Sequence, residues 1–175
     1  DIDGVHFDDY FYSYSGTPSS LDATEYESYG GGMSLGDWRR HNVNSMIDTV
    51  YKAIQEIKPD IRFGVSPFGI WRSGIPPGIY GFDAYAGIYC DPIAWLESQS
   101  LDYITPQMYW PTGGTQDFET LVEWWSDTVE YFDRHLFPGM GTYRLPADPG
   151  TKAAAVKESK LHESKFYFDL PVNGS

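Results

Sequence analysis

The sequence has few basic residues, a single cysteine and no long apolar run. Lys and Arg total 12 against 25 Asp and Glu, which gives a formal net charge of −13. Nucleic acids and anionic membrane surfaces require a basic footprint, so neither is expected as the main partner. Cys90 has no second cysteine with which to form an internal disulfide. Because no stretch of roughly 18 apolar residues occurs, we expect no membrane-spanning helix.

Aromatic side chains are what the sequence has in excess. Its 175 residues include 6 Trp, 14 Tyr and 10 Phe, and 41% of all residues are hydrophobic. That content is enough for the core of one domain, and we treat residues 1–175 as a single domain. The sequence starts at Asp1 in what reads as a strand already under way, so we expect a mature or excised piece of a longer protein.

Apolar periodicity predicts an alternation of strands and helices. Strands are predicted at residues 3–9, 61–66, 101–108 and 136–140, and a weaker pattern allows a fifth at 165–170. Helices are predicted from a Ser34 or Asp37 cap to Pro59, from Asp91 to Gln99, and at residues 117–133, with a weaker one at 152–164. Two long connections, residues 10–36 and 67–90, are predicted as loops.

This order predicts an α/β fold with parallel strands, apolar on both faces and buried between helices. An open sheet and a barrel both fit the alternation. The connections that follow strands are long and those that precede strands are short, which favours a barrel with its active face at the loops after the strands. A complete barrel needs about 250 residues and eight strands, so we predict a partial (half) TIM-type (β/α) barrel with four to five strands. Its two exposed edges would favour pairing with another chain or a homodimer.

A cluster of polar residues ends the first predicted strand: His6, Asp8, Asp9 and Tyr10. Side chains alternate along a strand, so His6 and Asp8 share one direction and Asp9 points the other way. Asp8 and Asp9 are candidate catalytic carboxylates, because acids at barrel strand ends serve as nucleophiles or acid/base groups. Two alternatives are a cap of the following loop and a metal site. No second His lies nearby to complete a metal site, and we expect neither a metal nor another cofactor.

Cleavage of a glycosidic bond needs two carboxyl groups, and the other predicted strand ends carry none. A second one would have to come from Asp9, Glu25, Glu27, Asp83 or a part of the protein outside this sequence.

The strand ends and the loops after them carry rings and polar groups of the kind that bind sugars. The alternative for any single ring is packing beneath a long loop, to which we assign Trp124 and Trp125. Arg39 and Arg40 are expected on a solvated face or turned back toward Asp8 or Asp9. The candidate substrate-binding residues are His6, Tyr10, Phe68, Trp71, Arg72, Gln107, Tyr109, Trp110 and Tyr143.

Five segments, in order, resemble the glycosyl-hydrolase-like 10 family, also called domain of unknown function 187. They are D-G-V-H-F-D-D-Y-F-Y from Asp3, D-W-R-R-H-N-V-N from Asp37, F-G-V-S-P-F-G-I-W-R from Phe63, D-Y-I-T-P-Q-M-Y-W from Asp102, and the L-x-x-W-W pattern from Leu121. The resemblance covers residues 1 to about 145, and the tail at 146–175 departs from it.

This resemblance implies an α/β-barrel glycosidase of a kind often secreted or lipid-anchored in bacteria. Some members are thought to cut glycan strands, including peptidoglycan stripped of its peptides. Residues 3–9 would be the fourth barrel strand and the first three would be absent. A carboxylate at the end of the fourth strand is often the nucleophile in related barrels, which supports Asp8, with Asp9 next.

The sequence therefore predicts a secreted or cell-envelope glycoside hydrolase acting on a β-linked polysaccharide such as a cellulose-like glucan, xylan or a peptidoglycan glycan. Two alternatives remain. One is a carbohydrate-binding barrel fragment without catalysis, and the other is a half barrel that gains activity only on pairing with a complementary half.

Overall fold

A computed structural model describes residues 2–8 and 11–141. The strands are β1 (Gly4–Asp8), β2 (Arg62–Ser66), β3 (Tyr103–Ile104) and β4 (His135–Leu136). The helices are α1 (Ala23–Tyr29), α2 (Leu35–Ile57), α3 (Ala84–Gly87), α4 (Pro92–Glu97) and α5 (Phe118–Tyr131). The predicted helix at 152–164 and strand at 165–170 lie outside the described residues.

The four strands form one all-parallel sheet in chain order, β1-β2-β3-β4. Helices connect successive strands, so the predicted partial α/β barrel is confirmed. Single bridges continue the sheet beyond the ends of β2 and β3, from Phe68 to Gln107 and from Gln107 to Gly139. The carboxyl ends of the strands and the loops that follow them therefore lie along one edge of the sheet.

The helices cover one face of the sheet and pack a core against it. Phe63 and Val65 of β2 are fully buried there, and Trp125 of α5 and Ile47 of α2 pack into the same cluster. The prediction of strands that are apolar on both faces is wrong. In β1 half-buried positions (Val5 and Phe7) alternate with exposed ones, with His6 on the exposed side, because no described element covers the second face. We call this second face the open face; it carries His6, Asp8, Ser66, Tyr103 and Gln107.

Local signals set the helix starts as predicted. Ser34 caps α2, and its hydroxyl accepts a hydrogen bond from the Asp37 backbone N–H at 3.1 Å. Asp117 caps α5 in the same way through the N–H of Thr120 at 2.7 Å. Pro92 stands in the first turn of α4, where its missing N–H costs nothing. No helix in the described part of the chain is long and apolar enough to cross a bilayer.

The connection at residues 10–36 is not all loop, because it contains α1. None of the residues of that helix is buried, so the helix does not need the regular spacing of apolar side chains from which a helix is predicted. Arg39 does not lie on a solvated face, and the acid that it meets is neither Asp8 nor Asp9. Arg39 is 1% exposed and forms an ion pair with Asp22, just before α1, at 2.6 Å. A cation at a helix start is favourable here because the long connection folds back over it and supplies the acid.

Candidate active site

Asp8 ends β1 at the edge where the carboxyl ends of the strands meet. Its side chain is exposed, and its Cα pairs with that of Ser66 at the end of β2. Gln107, which follows β3, donates from Nε2 to Asp8 Oδ1 at 2.6 Å and to the Ser66 carbonyl at 3.1 Å. The structure therefore brings together one predicted catalytic carboxylate and one predicted substrate-binding amide. Asp9, Tyr10 and Tyr143 lie outside the described residues.

His6 lies two residues before Asp8 in β1, so its side chain is on the same open face of the sheet. Its Nε2 is 2.6 Å from Ser66 Oγ and its Nδ1 is 3.0 Å from the Tyr103 hydroxyl. Burial lowers the pKa of His6, and the nearby charge of Asp8 opposes this to a lesser extent. A neutral imidazole donates through one nitrogen and accepts through the other, which matches two hydroxyl partners. His6 thus belongs to a hydrogen-bonded layer beneath Asp8 and presents neither ring nitrogen to a sugar.

A glycine makes this layer possible. Gly64 is the β2 residue in register with both His6 and Tyr103, so it stands between them across three strands. A Cβ on Gly64 would lie 2.2 Å from ring atoms of Tyr103. Only glycine lets the phenol ring lie across β2 and stack with the imidazole, with 5.7 Å between ring centroids.

Three of the acids predicted as a second catalytic carboxyl group, Asp83, Glu25 and Glu27, are within the described residues. Asp83 caps α3 by accepting from the Ala86 N–H at 2.8 Å, and its second oxygen accepts from the Ser73 N–H at 3.2 Å. Glu25 and Glu27 are exposed on α1. Asp83 is therefore held by the backbone, and neither glutamate is held in a pocket.

The sequence indicates Asp91 only as the start of a helix. It stands at the start of α4, and its Oδ1 accepts a hydrogen bond from Trp71 Nε1 at 3.1 Å. Burial raises the pKa of Asp91, against the effects of this hydrogen bond and of the nearby Arg40 and Arg72 charges. The Asp-Pro pair in the sequence signals a helix start and gives no sign of the indole, because Trp71 is 20 residues away.

Trp71 lies within a cluster of rings and guanidinium groups. Its indole stacks with Trp124 at 6.2 Å between centroids and meets Tyr85 edge-on at 6.0 Å. The exposed Arg72 guanidinium lies 5.6 Å from the Trp71 ring and 4.5 Å from that of Tyr85. Arg40 contacts the same Tyr85 ring at 3.9 Å. Trp71 is held firmly at the strand-end edge, and part of its surface is used in packing.

The other predicted sugar-binding rings divide into two kinds. Phe68 contacts Tyr14, Phe82 and Trp110 at centroid distances of 5.9, 5.4 and 5.5 Å, so it forms the centre of a packed cluster. Tyr109, the neighbour of Trp110 in the sequence, is 36% exposed and offers an accessible ring. Packing thus accounts for Phe68, and the accessible aromatic surface comes from Tyr109 and the outer parts of Trp71 and Trp110.

Metal-ligating side chains are not grouped among the residues that the structure describes. Across residues 2–8 and 11–141, no three or more His, Cys, Asp or Glu side chains are grouped so as to hold an ion. The arrangement offers an acid held by an amide, a second acid whose pKa burial raises, and several flat rings in the segments that follow the strands. These groups can supply nucleophilic or acid/base chemistry and can bind a carbohydrate.

Comparison with known proteins gives one family and several bacterial relatives. Residues 1–156 match the family described as "Glycosyl hydrolase-like 10". The chain is 38% identical over 154 residues to "Glycosyl hydrolase YngK" of Bacillus subtilis (strain 168), covering 83% of this chain and 30% of that protein. It is 41% identical over 150 residues to "Glycosyl hydrolase DigH" of Escherichia coli (strain K12), covering 82% of this chain and 34% of that protein. The chain thus spans about a third of the length of these relatives.

Proposed function

Because this chain belongs to the glycosyl hydrolase-like 10 family, we propose that it carries the catalytic carboxylate of an enzyme that cleaves O-glycosidic bonds in a β-linked polysaccharide. Asp8 is that carboxylate. The observation that carries the proposal is its position: an exposed acid at the carboxyl end of a parallel strand, held by the Gln107 amide at 2.6 Å. This is the edge on which α/β barrels place their catalytic groups.

The chemistry requires one carboxyl group that gives a proton to the leaving oxygen and one that attacks the anomeric carbon or activates water. Asp8, an exposed carboxylate when ionised, supplies the second role. Burial raises the pKa of Asp91, and a raised pKa is the property that a proton donor needs, so Asp91 is proposed for the first role. Carboxyl groups about 5 Å apart would give retention of configuration, and a gap of roughly 6.5–9.5 Å would give inversion.

Substrate contacts are assigned to side chains in the segments that follow β2 and β3, at the edge of the sheet where Asp8 ends β1. Tyr109 offers an accessible ring for stacking on a pyranose, and the exposed Arg72 offers hydrogen bonds to hydroxyl or carboxylate groups. Trp71 and Trp110 contribute the parts of their rings that packing leaves accessible. The proposed substrate is one β-linked polysaccharide: a cellulose-like glucan, xylan or a peptidoglycan glycan.

The experiment is a measurement of reducing ends released by the purified protein from cellulose, xylan, chitin and peptidoglycan stripped of peptides. Asp8→Asn should lower release at least about a hundredfold, since it removes the attacking or proton-accepting oxygen while keeping the shape. Asp60→Asn is the matched control, because Asp60 is an exposed acid just before β2, at the opposite edge of the sheet. Equal release by the wild type and Asp8→Asn would refute the assignment, and Asp9→Asn would then be the next variant.

A second candidate function is carbohydrate binding without catalysis. It is supported by the short span of the chain, which corresponds to about a third of the length of each relative. Binding of an oligosaccharide with no release of reducing ends by any variant or by the wild type would support this alternative and reject the first.

Self-association and a location in the cell envelope or outside the cell complete the proposal. The outer edge of β1 has no neighbouring strand among the described residues, and beside it lies an apolar groove of about 300 Å³ lined by Ile2, Val5, Ile54, Ile57, Lys58 and Ile61. An open strand edge favours pairing with a second copy. A monodisperse monomer in light scattering would reject the homodimer.

The proposed location, in the cell envelope or outside the cell, has its own test. Fractionation of cells that produce the natural protein would show in which fraction the protein is found.

A further inference from the structure

The backbone of Gln107 is fixed from both sides. It bridges in parallel to Phe68 on one side and to Gly139 on the other. The Gln107 N–H donates to the Pro67 carbonyl at 2.9 Å, and the next residue, Met108, donates to the Gly139 carbonyl at 2.9 Å. The position from which the amide side chain projects is therefore set by the sheet and does not depend on a mobile loop.

Two glycines allow this close approach. A Cβ on Gly69 would lie 2.5 Å from the Gln107 carbonyl oxygen, and a Cβ on Gly139 would lie 2.7 Å from the Pro106 carbonyl oxygen. Both distances are to backbone atoms, which cannot rotate away as a side chain can. Any other residue at either position would push the flanking segment outward, so the chain on both sides of Gln107 is packed as tightly as backbone permits.

The amide orientation follows from its two partners. Asp8 Oδ1 and the Ser66 carbonyl are both acceptors, so the amide nitrogen must face them and the amide oxygen must point elsewhere. One N–H goes to each acceptor. The hydrogen bond to the Ser66 carbonyl fixes the amide plane, and the fixed plane then directs the second N–H at the Asp8 carboxylate.

We propose that Gln107 is a positioning residue that aims the Asp8 carboxylate at the reacting carbon, and not chiefly a substrate-binding residue as its sequence position indicated. The inference rests on the proposed function of Asp8. The hydrogen bond to a carboxylate holds Asp8 in one rotamer at a site where a misplacement of about 1 Å costs roughly a hundredfold in rate. Loss of Gln107 should therefore lower kcat and leave KM nearly unchanged.

The kinetic test uses two substitutions and a matched control. Gln107→Met keeps the length and removes both donors, and we expect kcat to fall at least about tenfold with KM within about twofold of wild type. Gln107→Glu also places a like charge beside Asp8 and should lower kcat further. The control is Gln99→Met, which removes a donor to the Phe132 carbonyl at the opposite edge of the sheet and should leave kcat unchanged. Thermal unfolding of each variant confirms that it is folded.

A nuclear magnetic resonance measurement separates this inference from the proposed function. The side-chain NH₂ signals of Gln107, assigned by their loss in Gln107→Met, should shift on Asp8→Asn and not on Asp60→Asn. If the wild type releases no sugar, the proposed function fails, and these signals alone decide whether Gln107 holds Asp8. If Asp8→Asn does not change the chemical shifts of the Gln107 NH₂ signals, the inference is overturned. In an active protein, a rise in KM with unchanged kcat in Gln107→Met would overturn it as well, because that pattern identifies a substrate contact.

Discussion

Replacing Arg39 with Met should destabilise the protein strongly without altering the candidate site. Arg39 is 1% exposed at the start of α2, and its guanidinium donates to Asp22 through Nε at 2.9 Å and Nη2 at 2.6 Å. It also donates to the carbonyls of Thr17 and Pro18 and to the Tyr89 hydroxyl. These contacts join three segments: the long connection after β1, helix α2, and the loop before α4.

The expected cost follows from what the substitution leaves behind. Met fills a similar length but makes none of the five hydrogen bonds. The Asp22 carboxylate, with a side chain only 16% exposed, loses both of its guanidinium contacts. Removing one partner of a buried ion pair costs about 3–5 kcal/mol, and the partial exposure of Asp22 places this case near the lower end, at about 3 kcal/mol. For a domain of this size that corresponds to a fall of roughly 6–12 °C in Tm.

The pH dependence provides an internal check. The hydrogen bond from Arg39 is the main reason that the pKa of Asp22 is lowered. A carboxyl group with a lower pKa in the folded state stabilises the fold above its unfolded pKa, about 3.9, and this contribution is lost as the pH falls through the folded value. The wild type carries this contribution at pH 7 and Arg39→Met does not. The stability difference between them should therefore shrink as the pH falls below about 4.

Urea unfolding at pH 7 and near pH 3, followed by circular dichroism, measures both effects. The control is Arg62→Met, which removes a guanidinium group that is 69% exposed and 3.5 Å from Asp102. Exposed pairs of this kind contribute at most about 1 kcal/mol. A loss in Arg39→Met no larger than that of the control, or a difference from wild type that grows in acid, would refute the reasoning.

Two further substitutions test the packing of the site. Gly64→Ala puts a Cβ 2.2 Å from the Tyr103 ring, so the ring must move away from His6, and we expect the unfolding free energy to fall by about 1–3 kcal/mol. The burial of His6 then decreases, so its pKa should rise toward the ordinary value, which a titration of the imidazole proton signals measures. An unshifted His6 titration would contradict this account. Trp125→Phe removes a buried indole N–H that donates to the Gly69 carbonyl at 2.9 Å and should cost about 1–3 kcal/mol, whereas an unchanged midpoint in urea would show that this carbonyl finds another donor.

Much of the fold could be read in the sequence because its signals are local. The Ser34 cap, the Pro92 start of α4 and the three-to-four-residue spacing of apolar side chains on α2 and α5 act within one or two helical turns. The alternation of strands and helices then implied the parallel order that the sheet has. The position of Asp8 at a strand end followed from the same local reasoning.

The remainder depends on contacts between distant parts of the chain. Helix α1 escaped prediction because it buries no residue, and the burial of Arg39 depends on Asp22, 17 positions earlier. The hydrogen bond between Asp91 and Trp71 spans 20 positions, and that between Gln107 and Asp8 spans 99. The residue type shows that a side chain such as Gln107 or Trp71 can donate a hydrogen bond, but it does not show which acceptor that side chain contacts.

Short motifs and regular apolar periods along the chain are enough to predict the class of fold, the edge of the sheet on which chemistry is expected and the family. Only the tertiary structure decided that Gln107 contacts Asp8, that His6 lies between two hydroxyl groups and that one face of the sheet is polar and open. The physical reason is that strand register and the glycine-sized gap at Gly64 bring these groups together, and both arise only when distant segments pack side by side.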